Sequence, residues 1–426
     1  MSTRHAGTTL STPPVTPPAR GPHRLLAWAR SAIFRVALLA LLGINIARLR
    51  DAWPPAELPA IVRMIGGNRP AEAENALRDR LRRAPHEGES RMLLAQTLAR
   101  RGDMAGCAAQ LRLVPPWWPS KPEALFLEGQ SALAAKLAVQ AEAAWRACLA
   151  DDPLHPAPPR YLSGATGELI GLLSLEGRHD EAASALWSIF EGASEADRPS
   201  ILRAIVEARL REGTSATDPG SILRLREFAA ADRGDVAARL ALARVERGAG
   251  RPDQALRWVD EALAARPDDL AARRDRLAIL DSRGDRAGFQ AGVARLPAAA
   301  DGDGDLWAYR GLARDLGGDR PGAAESYRRA IALRPSDESI RERLATVADL
   351  LGDRDQARSE RGRARALRDA RTAIADAYRA YRDASRERRP EADVGPILAR
   401  LGDLAETLGR DREAASWKRL GGRSRR

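Results

Sequence analysis

Lysine, aromatic residues, cysteine and histidine are all scarce in this 426-residue sequence, and each shortage removes a class of answer. Only Lys121, Lys136 and Lys418 interrupt a set of 69 basic residues that is otherwise arginine, a bias that reads as codon preference in a GC-rich genome. Aromatics are 4% of the chain. That is too few for sheets built on aromatic and β-branched side chains, whereas the abundant alanine, leucine and arginine suit closely packed helices. Two cysteines, Cys107 and Cys148, found neither a disulfide framework nor a zinc site. On neighbouring second helices they are expected about 10 Å apart along the axis, beyond disulfide reach. No two of the five histidines (His5, His23, His86, His155 and His179) have ligand spacing on a helix. The glycine-rich run Asp301 to Asp305 lacks the distal glutamate of a calcium loop and the Gly-Lys-Ser/Thr of a phosphate loop, so it reads as a linker. No catalytic residue, metal or cofactor is expected, and the chain does not read as an enzyme.

Charge of one sign is missing from both ends. Residues 1–50 hold seven arginines and no acid, and residues 418–426 hold five basic residues and no acid. Between them stand 57 basic against 58 acidic residues, so the body is nearly neutral and lacks the electrostatic footprint of a nucleic-acid binder.

What is present begins with a tail, 1–23, rich in threonine, serine and proline and expected to be disordered. Residues 24–50 follow as a membrane-anchor segment. Its uncharged core, Val36 to Ala47, reaches a spanning length within 25–49 if Arg30 and Arg35 snorkel to the headgroups. A cleaved signal peptide, an interfacial helix and a mitochondrial presequence are the alternatives. Arginines concentrated before the apolar core place the tail in the cytoplasm and the body across the membrane, most simply a bacterial inner membrane.

From Trp53 onward the chain repeats. Gly250, Gly284, Gly318 and Gly352 are 34 residues apart and each precedes Arg or Asp; Pro85, Pro119 and Pro153 share that period, as do Pro267 and Pro335 at twice it. Two kinds of breaker on one period indicate stacked helical hairpins. The glycine ends a first helix in left-handed backbone, the next Asp caps the second helix, and proline closes the unit.

These residues resemble the tetratricopeptide repeat. Trp307, Gly311, Ala323, Tyr327, Ala330 and Pro335 fall at that family's signature offsets. Gly250, Ala255, Ala262 and Pro267 do so two units earlier, and Gly129, Ala141, Trp145 and Pro153 do so in the unit 122–155. Gly284, Gly352 with Ala357, and Gly402, Gly409 with Ala414 mark further units. The resemblance implies an all-α solenoid of right-handed superhelical form, divided as repeats 51–155, irregular repeats 156–233, regular repeats 234–371, a charged helix and linker 372–394, a capping hairpin 395–420 and a basic tail 421–426. Individual hairpins are expected at 198–233 and 338–371, among others. The unit 270–303 departs from the pattern by carrying Phe289 where a small alanine belongs.

By the same resemblance, the first helices line a concave face that binds a protein or peptide. The residues on that face are expected to be Met92, Gln96, Phe126 and Gln130 early, then Arg244, Arg247 and Arg274, an apolar groove turning basic. The adjacent Trp117 and Trp118 either wedge between hairpins or offer an exposed anchor. The expected function is a membrane-anchored scaffold, or an accessory subunit of an envelope export, secretion or biogenesis machine.

Overall fold

The computed structural model describes residues 57–150, 156–210, 218–387 and 390–423. The expectations for the tail, the anchor segment and Pro153 lie outside the described residues. Two compact units divide the chain, residues 1–76 and Leu77–Arg426. The first holds α1 (Glu57–Gly66) and the start of α2 (Pro70–Arg83), joined through Asn68 in left-handed backbone at φ 55°.

In the second unit, all regular structure among the described residues is helical. Its first half contains α3 (Gly88–Arg100), α4 (Met104–Arg112), α5 (Lys121–Ala134), α6 (Ala138–Leu149), α7 (Pro159–Leu175), α8 (His179–Gly192), α9 (Arg198–Leu210) and α10 (Pro219–Ala231). The second half contains α11 (Val236–Gly248), α12 (Pro252–Ala265), α13 (Leu270–Arg283), α14 (Arg286–Ala294), a 3-10 turn at Ala298–Gly302, α15 (Gly304–Leu316) and α16 (Arg320–Leu333). It ends with α17 (Glu338–Leu350), α18 (Arg354–Arg386), α19 (Glu391–Thr407) and α20 (Asp411–Arg423). The helices of each pair α3/α4, α5/α6, α11/α12, α15/α16 and α17/α18 pack on each other, and the first helices α11, α13 and α15 touch along one face.

The hairpin turns repeat one device. Gly102, Gly250, Gly284, Gly318 and Gly352 all have positive φ, between 72° and 85°. At four of these turns an Asp follows, and it does two jobs. Its amide donates to a carbonyl five residues back, as Asp319 N–H does to Arg314 at 2.9 Å, closing the first helix. Its carboxylate accepts from the second helix, as Asp319 does from Gly322 at 2.9 Å. First helices are capped in the same way by Asp235, Asp269, Asp303 and Asp337, again 34 residues apart. Asp303 thus gives the linker 301–305 a specific role as a helix cap.

Packing follows the same period. A Cβ on Gly129 would stand 2.2 Å from Trp145 Nε1, and one on Gly311 would stand 2.7 Å from the Tyr327 ring. Each glycine therefore seats the large side chain sixteen residues later, at no exposure to water for Trp145 and nearly none for Tyr327. Gly402 does the same for the stem of Lys418. Ala141, Ala255, Ala262, Ala323, Ala330, Ala357 and Ala414 are all buried between helices. Trp307 is half-buried, with the guanidiniums of Arg310 and Arg329 stacked 4.5 and 4.7 Å from its ring.

Arginine also has a structural task that codon preference does not describe. Nε and one terminal nitrogen of Arg91 both donate to the Pro85 carbonyl, those of Arg273 to Pro267, and those of Arg341 to Pro335. Six residues separate each pair. The guanidinium fork thereby satisfies a carbonyl left free where a second helix stops.

Two expected boundaries change. Residues 198–233 do not form a hairpin: α9 packs on α8, while α10 packs on α11 and joins the core around Trp145 and Leu169. The division at 371/372 is absent because α18 is one 33-residue helix. Its apolar stripe (Leu367, Ala370, Ile374, Ala377, Tyr378, Tyr381) keeps helical spacing through the boundary, so nothing stops it. That stripe, with Leu401 and Trp417 of the last two helices, shares one core with Trp187, Leu202 and Ile205 of α8 and α9. The chain returns on itself across about 170 residues, with the Tyr378 hydroxyl donating to Glu207 at 2.7 Å.

Candidate functional site

A cavity of about 640 Å³ opens on the face formed by the first helices. Its walls are Val139 and Glu142 of α6, the turn at Gly177 to Glu181, one side of α11, the α12 to α13 corner, and Asp305 and Arg334. Six arginines (178, 244, 247, 266, 274 and 334) meet six carboxylates (142, 180, 181, 269, 275 and 305) there. The lining is polar and, in formal charge, balanced.

The period places these groups. Arg244 and Arg247 are three apart on α11 and point the same way; Arg274 and Asp275 begin α13 at the next level, and Asp305 begins α15 beyond them. Most of the charges are already paired. The Arg244 guanidinium meets Asp275 at 3.0 Å and donates to the Glu176 carbonyl at 3.3 Å. Arg274 reaches Asp303 at 3.5 Å and Asp305 at 3.4 Å, and Arg334 reaches Asp305 at 2.6 Å. Burial nevertheless pushes the Asp305 carboxyl above its usual range, outweighing both arginines. Arg247 differs: it is exposed and, among the described residues, makes neither an ion pair nor a hydrogen bond, whereas Arg266, also without an ion pair, donates to the Gly234 carbonyl at 3.4 Å.

One wall is a dense ionic knot. Arg178 meets Glu142 at 2.6 Å, Glu176 at 2.9 Å and Glu181 at 2.8 Å. Against the effect of burial, these three carboxylates hold its guanidinium protonated far above the ordinary range. Glu176 is nearly inaccessible to water, and burial raises it to about 7, with Arg178 opposing and Asp235 adding to the rise. Asp235 is itself fully buried and pushed up by burial; one oxygen caps α11 through Ala238 N–H at 2.9 Å.

The expected groove residues divide into two groups. Arg244, Arg247 and Arg274 all line the cavity. Met92, Gln96, Phe126 and Gln130 do not: Gln96 and Gln130 are exposed elsewhere, with Gln130 donating to Glu168 at 3.3 Å. Phe126 lies half-buried against Gly164 and the Tyr161 ring, at a centroid distance of 5.7 Å, and so packs one hairpin on the next. Of the expected groove, the α11 and α13 residues thus share one polar cavity, and the α3 and α5 residues lie outside that cavity. The tryptophan pair also splits. Trp118 wedges over Gly88, while Trp117 is 62% exposed beside His86. Arg178, Arg266 and Arg334 were missed because they sit at hairpin corners, outside the first-helix positions from which the groove was mapped.

Among the described residues, no cluster of three or more His, Cys, Asp or Glu side chains has the arrangement to hold a metal ion. Cys107 and Cys148 are buried free thiols, Cys107 beside the Ser131 hydroxyl at 3.2 Å. Among the described residues no helix is long and apolar enough to cross a membrane.

Residues 170–372, the stretch that supplies most of the cavity, match the family model of the tetratricopeptide repeat. That stretch carries tetratricopeptide repeats. A curated relative, the Cellulose synthase operon protein C of Xanthomonas axonopodis pv. citri (strain 306), is 34% identical over 210 residues. That alignment takes in 48% of this repeat protein and 13% of the relative, so the chain spans only a small part of the relative's length. Among solved structures, MamA 41-end from Desulfovibrio magneticus RS-1 aligns at TM-score 0.31 and 20% identity, over 40% of this chain and 94% of its own. The human IFIT1 dimer with PPP-AAAA aligns at TM-score 0.36 and 14% identity, over 79% of this chain and 90% of its own.

Proposed function

We propose that this repeat protein is a non-enzymatic scaffold that holds a protein or peptide partner in the cavity formed by its first helices. One observation carries the reading: in a cavity whose other ion pairs are largely self-satisfied, Arg247 presents an uncommitted guanidinium. Paired groups keep the walls rigid and ask little of a ligand. A free one gains a charge-assisted bond only when a partner arrives. The volume is of the size that takes a few residues of an extended chain. Residues 25–49 tether the scaffold to a membrane, a bacterial inner membrane, with the tail cytoplasmic and the repeats on the far side; the uncharged run Val36 to Ala47 supports this.

A second reading, an accessory subunit of a cell-envelope biogenesis machine, is favoured by the likeness to the Cellulose synthase operon protein C. Affinity capture with the full-length chain tests the scaffold. A partner enriched by the wild type and lost with Arg247→Glu is expected; equal capture by both, in folded protein, contradicts the cavity as the binding site. Recovery of the intact chain in the soluble fraction contradicts the tether.

A further inference from the structure

The contact that brings α18 to α20 back onto α8 and α9 lies beside the proposed binding cavity. A second cavity, of about 410 Å³, is lined by Arg209 of α9, Arg371 of α18, the corner Leu333 to Asp337 and the turn Leu408 to Arg410. Asp180 and Arg334 line both cavities, so the two spaces meet at these side chains.

The contact encloses the apolar core that Trp187, Leu202 and Ile205 share with Tyr378 and Trp417, and polar groups fasten it. Its named polar links join side-chain tips. Tyr378 donates to Glu207, Arg412 pairs with Glu191 and stacks 5.0 Å from the Trp187 ring, and Arg209 stands 3.9 Å from Glu413. At its centre is a defect. Glu413 is 1% exposed, and neither of its carboxylate oxygens has a hydrogen-bond partner. A buried carboxylate facing arginine without a bond forgoes most of what offsets its desolvation, whereas an opened contact returns it to water. Each side also retains packing of its own once the contact is removed, since α8 packs on α9 and α19 packs on both α18 and α20.

We propose that this contact is a latch: α18 to α20 separate from α8 and α9, and that separation widens the already open cavity at Asp180 and Arg334 for the partner. The proposal rests on the cavity reading above, but its test needs no partner. Nitroxides are placed on the exposed positions Ser188→Cys and Arg400→Cys of the full-length chain; the native thiols of Cys107 and Cys148 are buried and pushed up by that burial, so they stay unlabelled. The distance distribution is measured by electron-electron resonance in the wild type, in Tyr378→Phe with Arg412→Glu, and in the charge swap Arg412→Glu with Glu191→Arg.

In parallel, without nitroxides, the thiol introduced by Ala237→Cys on the cavity wall is timed against a bulky polyethylene-glycol maleimide. The loosened variant is expected to gain a longer distance population and to react about tenfold faster, the change that about 1.4 kcal/mol of lost closure produces. The charge swap should recover the wild-type distance, which also shows that the chain still folds. An unchanged distance in a loosened, fully helical variant overturns the latch. So does a longer distance with an unchanged maleimide rate, because opening the contact then does not widen the cavity. Failure of partner capture with a latch that opens counts against the cavity reading alone.

Discussion

Tyr327 and Tyr378 are both buried tyrosines on second helices, and they show how the two parts of the repeat unit differ. Tyr327 belongs to the regular stretch from Asp235 to Leu350, fills the space left by Gly311 sixteen residues earlier, and is raised to about 12 chiefly by burial. Tyr378 lies past the last regular turn and reaches Glu207, 171 residues away, across a region where the period has slipped. In the regular stretch each residue's partner stands at a fixed offset, so its task can be inferred from position. In the slipped region partners are set by where the chain returns, which no local offset encodes.

This contrast can be tested by mutation, beginning with the largest effect. Tyr327→Ala empties a space that its own hairpin cannot refill and is expected to cost about 3–5 kcal/mol in urea denaturation, while Tyr378→Phe, which keeps the ring, should cost only about 1 kcal/mol. If the two losses were similar, the regular stretch would not be the more locally determined of the two. The turns give a smaller, graded test. Asp319→Ala removes the carboxylate that accepts from Gly322 N–H, while leaving the backbone bond to Arg314, and should lower stability by about 1 kcal/mol. Lys136 occupies the left-handed turn position 34 residues after Gly102, at φ 67°, so Lys136→Gly should raise stability by a few tenths of a kcal/mol after the loss of its exposed pair with Glu227.

A further test concerns pH. Glu176 is held at about 7 in the folded chain against an ordinary 4.5, so the folded state binds this proton more tightly. Its stabilising contribution is therefore complete below about pH 4.5 and is lost as pH rises through about 7. The stability of the wild type relative to Glu176→Gln should fall across that interval; a difference that stays flat would contradict the burial of this carboxyl in the cavity wall.

How much was legible follows from the same distinction. Glycine turns and their aspartates, the small residues and the two seated aromatics could be read because each is a local requirement repeated every 34 residues. Lys136 and Asn68 could not, since neither residue type announces left-handed backbone. The arginine-to-proline clamps were hidden for another reason: an excess of arginine conceals the few that sit six residues after a proline. Phe126 and Gln130 were placed in the groove by offset alone, although the slip before α7 changes what stands opposite them. The reading also carried 338–371 as a closed unit. The apolar stripe of α18 continues through that boundary, and its consequence became visible only with α8 and α9 beside it. Of the cavity, the three α11 and α13 arginines were legible, but their acidic partners were not, and pairing decides which guanidinium is free.

The most direct measurement of the central claim is site-specific photocrosslinking in cells that make the full-length protein. A benzophenone amino acid is introduced at Arg247, inside the cavity, and separately at Glu325, exposed on the second helix α16. The account predicts one discrete crosslinked protein from position 247 that is absent from position 325. The same set of products from both positions, or none from 247 in folded protein, would contradict a scaffold that binds its partner in this cavity.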